Sequence, residues 1–300
     1  HLPWRRRVRP DAMTRDNIMD QAEGLRRLQR PPTKVITVAS GKGGVGKTNV
    51  VANLAITLAR GGQRVMVFDA DLGLGNIDIL LGLTPRHNIS HVLSGEKQLS
   101  DVLVRGPQDI LVLPASSGVA SMASLDVATQ ARLIDAVSSL DIPLDYLLVD
   151  CAAGIAGDVL TFSRAAQDLI VVLSNEPASV ADAYALIKVL SKQYGLKRFH
   201  LLPNMVRDAR EGQALFAKIT GVADRYLDVS LDLLGSIPLD AALRAAVRSQ
   251  RAVVESAPQS AAAAAFAALA ARVKAWPLPQ GPSGRIEFFM QQWLRAEQAA

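Results

Sequence analysis

Eight consecutive residues, Gly41-Lys42-Gly43-Gly44-Val45-Gly46-Lys47-Thr48, have the types and spacing to hold phosphate. The glycines let successive backbone N–H groups curl around phosphate oxygens with no Cβ in the way. Gly43, Gly44, Val45, Gly46 and Asn49 would form the cradle. Lys47 would reach the β- and γ-phosphates, and the Thr48 hydroxyl would ligate Mg²⁺. A second lysine, Lys42, follows the first glycine directly. A cation so early in the loop does not fold back easily onto its own phosphates, and it could reach a nucleotide in a facing subunit.

Three carboxylates complete the candidate chemistry. Asp69 and Asp71 stand one residue apart at the end of an apolar run, and Asp150 ends another in Asp150-Cys151-Ala152-Ala153-Gly154. Phosphoryl transfer needs a metal held and a water aimed more than it needs covalent help. A carboxylate at a strand end near the loop suits the first task, and one on a mobile loop suits the second. The Gly154 N–H could approach the γ-phosphate.

These residues demand particular elements. A G-x-x-x-x-G-K-T match signifies a phosphate loop when a strand precedes it and a helix follows. Val35-Ile36-Thr37-Val38-Ala39 is a β-branched apolar run, and Val50-Val51-Ala52-Asn53-Leu54-Ala55-Ile56 opens a helical pattern that Gly61-Gly62 breaks. Strands are predicted at 64–69, 110–114, 146–150, 169–173, 199–202 and 233–237. Helices are predicted at 76–82, 90–104, 125–140, 157–167, 179–194, 211–226, 240–250 and 261–272. This alternation implies an α/β fold: a doubly wound, mostly parallel sheet with helices on both faces. Ligands in such sheets bind at the carboxyl ends of the strands, where the glycine loop, Asp71 and Asp150 all fall.

Composition supports this and excludes other classes. The 300 residues are 49% hydrophobic but only 5% aromatic, as suits parallel strands packed under helices. One cysteine, Cys151, excludes a disulfide framework and a cysteine pair for an iron–sulfur cluster. The four histidines show no metal-ligand spacing. No apolar run approaches the ~20 residues of a membrane span. Residues 1–34 hold nine basic and four acidic residues, which accounts for the whole net charge of +5. The remainder is neutral, so a specific nucleic-acid surface is not expected.

The chain divides into a basic extension at 1–33, an α/β unit at 34–276, and a Pro/Gly linker with an amphipathic segment at 277–300. Within the first, Ile18, Ala22 and Leu25 recur at helical spacing before Pro31-Pro32. Within the last, Ile286, Phe289, Met290, Trp293 and Leu294 fall on one helical face. Its bulky apolar content suits a membrane interface.

The K-G-G-x-G-K-T form resembles the deviant Walker A motif of the MinD/ParA family of dimerising P-loop ATPases. The segments Asp69-Ala70-Asp71-Leu72-Gly73-Leu74-Gly75-Asn76 and Asp150-Cys151-Ala152-Ala153-Gly154 look like the MinD type. Asp20-Gln21-Ala22-Glu23-Gly24-Leu25-Arg26, the run Asp182-Ala183-Tyr184-Ala185-Leu186-Ile187-Lys188 and the closing Glu287-Phe288-Phe289 resemble the FlhG/FleN branch, which sets flagellar number and placement. The likeness spans roughly residues 20–297.

The resemblance implies a slow ATP hydrolase that uses ATP and Mg²⁺ and forms a homodimer around ATP. Lys42 would act in trans, Asp71 would position water, and Asp69 and Asp150 would support the metal. Asn204 and Pro238 sit where relatives recognise the adenine. Asp20, Gln21, Ala22, Leu25 and Arg26 would engage an FlhF-like GTPase. Other implied partners are a flagellar transcription activator, flagellar switch components and the inner-membrane lipid surface. The protein would be cytoplasmic, lying peripherally on the inner membrane. Two alternatives remain open: a ParA-type DNA-partition ATPase, which the neutral body disfavours, and a nucleotide-dependent repressor of a flagellar transcription activator.

Overall fold

The computed structural model describes residues 33–115 and 125–278. The expected partner segment at Asp20–Arg26 and the apolar stripe from Ile286 to Leu294 lie outside the described residues.

Among the described residues nine strands form the centre: β1 (Lys34–Ser40), β2 (Val65–Ala70), β3 (Val104–Arg105), β4 (Leu111–Leu113), β5 (Tyr146–Ala153), β6 (Asp168–Leu173), β7 (Arg198–Val206), β8 (Ser230–Leu233) and β9 (Ile237–Pro238). Their order is β3-β4-β2-β5-β1-β6-β7-β8, with β9 beside the end of β7. Every pairing is parallel except that of β3 with β4. The strands that carry the glycine loop and Asp150 are central and adjacent, β1 against β5.

Alternation along these strands divides the core in two. Val35, Ala39, Met66, Phe68, Leu147, Val149, Leu169 and Val171 point to one face. That face is covered by α5 (Val127–Ser138), α6 (Gly157–Ala165), α7 (Pro177–Tyr194) and α8 (Ala209–Tyr226). Ile36, Val38, Val67, Leu148, Ile170 and Val172 point the other way. They meet α1 (Lys47–Arg60), α10 (Val253–Ser256) and α11 (Ala261–Lys274). Both faces are dry, which is why the strands read as continuous apolar runs.

Helix α1 is almost wholly buried, since Val50, Val51, Ala52, Leu54, Ala55, Ile56 and Leu58 pack on all sides. Buried Asn53 ties it down: its side chain donates to Asn49 O at 2.8 Å and accepts from Val254 N at 3.2 Å. At the far end Arg60 donates to Val254 O, and Lys274 reaches Gly61 O.

The N-terminal ends of the strands hold a compact polar cluster. Lys34, 1% exposed, lies 3.8 Å from Asp168 and 5.4 Å from the centre of the Trp276 ring. His200 stacks on Trp276 at 4.1 Å and approaches Asp168 at 3.2 Å. Trp276 thereby fastens the chain just past α11 to the floor of the sheet.

Two local expectations break up in the structure, and one short helix had no expectation at all. The single helix expected over 90–104 is two short ones, α3 (Ile89–Leu93) and α4 (Leu99–Val102), followed by the edge strand β3. Gln98 starts the second helix with a capping box to Asp101, so the chain restarts rather than continues. The strand expected over 233–237 is β8 and β9, both parallel to β7 and separated by residues 234–236, which have no regular structure. Helix α10 was not foreseen, because four residues carry no usable period. The helix expected at 76–82 is α2 (Ile77–Leu80), and the one expected at 240–250 is α9 (Ala241–Arg248).

Candidate functional site

Strand β1 delivers the glycine loop to the carboxyl edge of the sheet. Two glycines there have specific steric reasons. A Cβ on Gly41 would lie 2.1 Å from the Asp182 carbonyl, so the loop passes directly over the backbone of α7. Gly46 sits at φ 90° as the N-cap of α1, and a Cβ on it would meet Asn204 Nδ2 at 2.4 Å. Having no side chain, Gly46 leaves the first-turn N–H groups of α1 uncapped. These are donors that a phosphate can satisfy.

The loop borders a cleft of about 840 Å³. Gly43, Gly44, Gly46, Lys47, Thr48, Asn49 and Asp71 line it, as do Ala152 and Ala153 beyond Asp150. Val45 is buried beneath it and accepts from Asn204 Nδ2 at 2.7 Å. The structure thus brings the predicted phosphate loop and Asp71, the carboxylate expected to aim water, to one cavity.

The other two carboxylates are buried side by side. Asp69 on β2 and Asp150 on β5 are register partners, each at most 2% exposed. Desolvation raises both pKa values. For Asp69 the neighbouring Asp150 charge adds to the rise, which places it well above the ordinary carboxylate range. Asp150 is pushed up to about 6, with Thr48 and Lys47 working against the burial.

Their hydrogen bonding separates their tasks. Asp69 accepts from Asp71 N and Ile77 N, both at 3.2 Å. It braces the loop that carries Asp71 and the start of α2. Asp150 Oδ1 is buried with no hydrogen-bond partner. An orphaned, desolvated carboxylate oxygen beside Thr48 is the mark of a cation site. Among the described residues no set of three His, Cys, Asp or Glu side chains could hold a metal alone. A divalent cation here would therefore draw on Thr48, phosphate oxygens and water, which is how Mg²⁺ is commonly held.

The remaining predicted residues take definite places. Lys42 forms an ion pair with Glu176, the N-cap of α7, and is about one-third exposed. Gly154 donates its N–H to Ser40 O at 2.8 Å, so in this conformation that group is engaged within the protein. Asn204 is buried, with its amide shared between Val45 O and Met205 N. Pro238 pairs with Val206 through β9, close along the chain to Asn204's strand but not in the cleft lining.

Several cleft residues escaped the sequence reading. Leu74, Asn76, Ile79 and Leu80 form one wall, and Val247, Arg248 and Gln250 form another. Leu74 is 70% exposed and Ile79 50%, together with Ile155 at 50%. The exposed apolar residues inside a D-x-D-L-G-L segment were the available signal. The wall from α9 had none, because it reaches the cleft only through tertiary packing.

The comparisons place the chain by sequence and by fold. The family model described as ParA, an NUBPL iron-transfer P-loop NTPase, matches residues 32–274. The chain is 51% identical to Antiactivator FleN of Pseudomonas aeruginosa, over 88% of this chain and 94% of that one. It is 35% identical to the flagellum site-determining protein YlxH of Helicobacter pylori, over 75% and 76% of the two. Among solved structures it resembles the septum site-determining protein MinD from Pyrococcus horikoshii complexed with Mg-ADP. That likeness has a TM-score of 0.68 and 28% identity, covering 81% of this chain and 96% of that one. By sequence and by fold, the chain belongs to the MinD/ParA family of P-loop ATPases, in its FlhG/FleN branch.

Proposed function

We propose that this chain is an ATP-hydrolysing switch that dimerises around ATP and regulates flagellar number and placement. Lys42 carries the reading. It is a cation in the phosphate loop that points away from its own cleft and onto exposed Glu176. A lysine so placed serves a nucleotide in a facing copy once the Glu176 contact is exchanged. The exposed Leu74 and Ile79, which line the cleft, suit burial against that copy.

Each residue then has a task. The loop from Gly43 to Asn49 holds the phosphates of ATP, with Lys47 against the β- and γ-oxygens. Thr48 and Asp150 would hold Mg²⁺, which neutralises phosphate charge when bound. Asp69 keeps Asp71 in place, and Asp71 aims the attacking water. Asn204 and Pro238 would recognise the adenine. Membrane cycling on the inner-membrane face through Ile286, Phe289, Met290, Trp293 and Leu294 completes the switch.

Light scattering with a non-hydrolysable ATP analogue tests the dimer. The wild type and Asp71→Ala should dimerise. Lys42→Ala should keep its ADP affinity while losing about tenfold or more of the hydrolysis rate. A monomer under ATP in the Asp71→Ala protein would sink the facing-subunit arrangement.

The 51% identity to an antiactivator favours a second output, nucleotide-dependent docking on a flagellar transcription activator. Pull-down of an enhancer-binding activator, with and without ATP, checks it. Capture that ignores nucleotide would separate this output from the switch.

A further inference from the structure

The neutral charge of the body conceals a local excess at the β3 edge of the sheet. A second cavity, of about 610 Å³, opens there, away from the glycine loop. Arg86, His87, Lys97 and Arg105 line it, and among the described lining residues the one carboxylate is Asp101. The four basic side chains come from three separate segments: the chain after α2, the turn before α4, and β3 itself. Folding gathers them, so this is not the solvated run of one charged stretch.

Little in the described structure neutralises them. The Asp101 carboxylate is engaged in accepting from Gln98 N at 3.1 Å to start α4. Arg105 is 3.7 Å from Asp109, with both side chains largely exposed, a pairing of little strength in water. Arg86 and Lys97 form no ion pair among the described residues. His87 Nδ1 is buried without a hydrogen-bond partner, its ring edge-on to His91 at 5.0 Å. Unpaired guanidinium and ammonium groups around a concavity, with a ring nitrogen lacking a partner, form a donor set for a multiply charged oxyanion.

We propose that this cavity is a second anion site, taking a small soluble molecule that carries a phosphoryl group. Its volume falls in the range of small-molecule pockets. Arg86 would supply the fork that fits two phosphate oxygens, Lys97 the point charge, and His87 a third donor. The site is coupled by chain to the nucleotide cleft. Leu80 lines the cleft and Thr84 lines this cavity, four residues apart.

The test uses the full chain saturated with ADP, so that the glycine loop is already filled. Inorganic pyrophosphate is titrated calorimetrically into the wild type and into an Arg86→Ala/Lys97→Ala variant. Both side chains are exposed, and unchanged ADP affinity will show that the variant folds. The wild type should bind pyrophosphate with affinity that falls as salt rises, and the variant should bind about tenfold or more weakly. Absence of binding, or equal affinity in the two proteins, overturns the proposal. Flotation with vesicles of anionic phospholipid supplies the remaining arm. If vesicles but not pyrophosphate bind through Arg86 and Lys97, the ligand is a headgroup and the soluble-ligand proposal fails.

Discussion

Burial holds the Asp150 carboxyl at a pKa of about 6, against an ordinary 3.8, while its Oδ1 atom faces no donor. The consequence for stability has a definite sign. Between pH 3.8 and about 6 the folded chain keeps a proton that the unfolded chain has released, so stability declines as pH rises through that window. The cost is absent below the window and complete above it. Asp150→Asn removes the charge and keeps the shape. At pH 8 the variant should be more stable than the parent by about 1–3 kcal/mol in the ligand-free state. The gap should close by pH 4, as thermal melts across pH will show. Mg²⁺-dependent ATP hydrolysis should fall at least about a hundredfold in the same variant. A gain in stability with loss of function is the signature of a residue placed for a ligand. As candidates, Asp71 and Asp150 were legible from their places at the ends of apolar runs. The division of labour between Asp69 and Asp150 was not, because it depends on which backbone N–H groups turn towards each carboxylate.

At the scale of elements, the loop is held by contacts on both sides. Beneath it lies Asn204, and over it lies the first part of α7, close enough that Gly41 cannot carry a Cβ. Gly41→Ala should therefore displace α7 from the loop, lowering stability by about 1–3 kcal/mol and weakening nucleotide binding. Denaturant titration and nucleotide titration together check this. An alanine variant with wild-type values in both would show that α7 yields without consequence. The strands and long helices could be read from the chain because each carries a sustained period or an unbroken apolar run. The region from 89 to 105 could not, since its restart at Gln98 is set by a cap of a few atoms. Glu176 likewise has no signal of its own, as its link to Lys42 spans 134 positions.

For the whole molecule, the cluster of Lys34, Asp168, His200 and Trp276 matters because it closes the floor of the sheet. Burial lowers the Lys34 pKa despite Asp168, so the ion is held at a cost that the Trp276 ring helps to offset. Trp276→Ala should destabilise the protein by about 1–3 kcal/mol, less than a fully buried tryptophan because the ring is partly exposed. Chemical denaturation measures it. The same change leaves the cleft lining itself untouched, since the cluster lies at the other end of the sheet.

Helix α1 joins these two ends. Its first residue is Lys47 of the glycine loop, and its last turn is tied to Val254 and, through Gly61, to Lys274. Fourteen residues make a rod about 21 Å long. Packed on every side, it cannot bend easily, so it transmits displacement as a strut does. Any tilt imposed when phosphate seats at Gly46 must reappear at the root of residues 277–300. Amide hydrogen exchange at residues 272–276 should accordingly slow or quicken when nucleotide binds. An unchanged rate there would mean that the strut is mechanically silent.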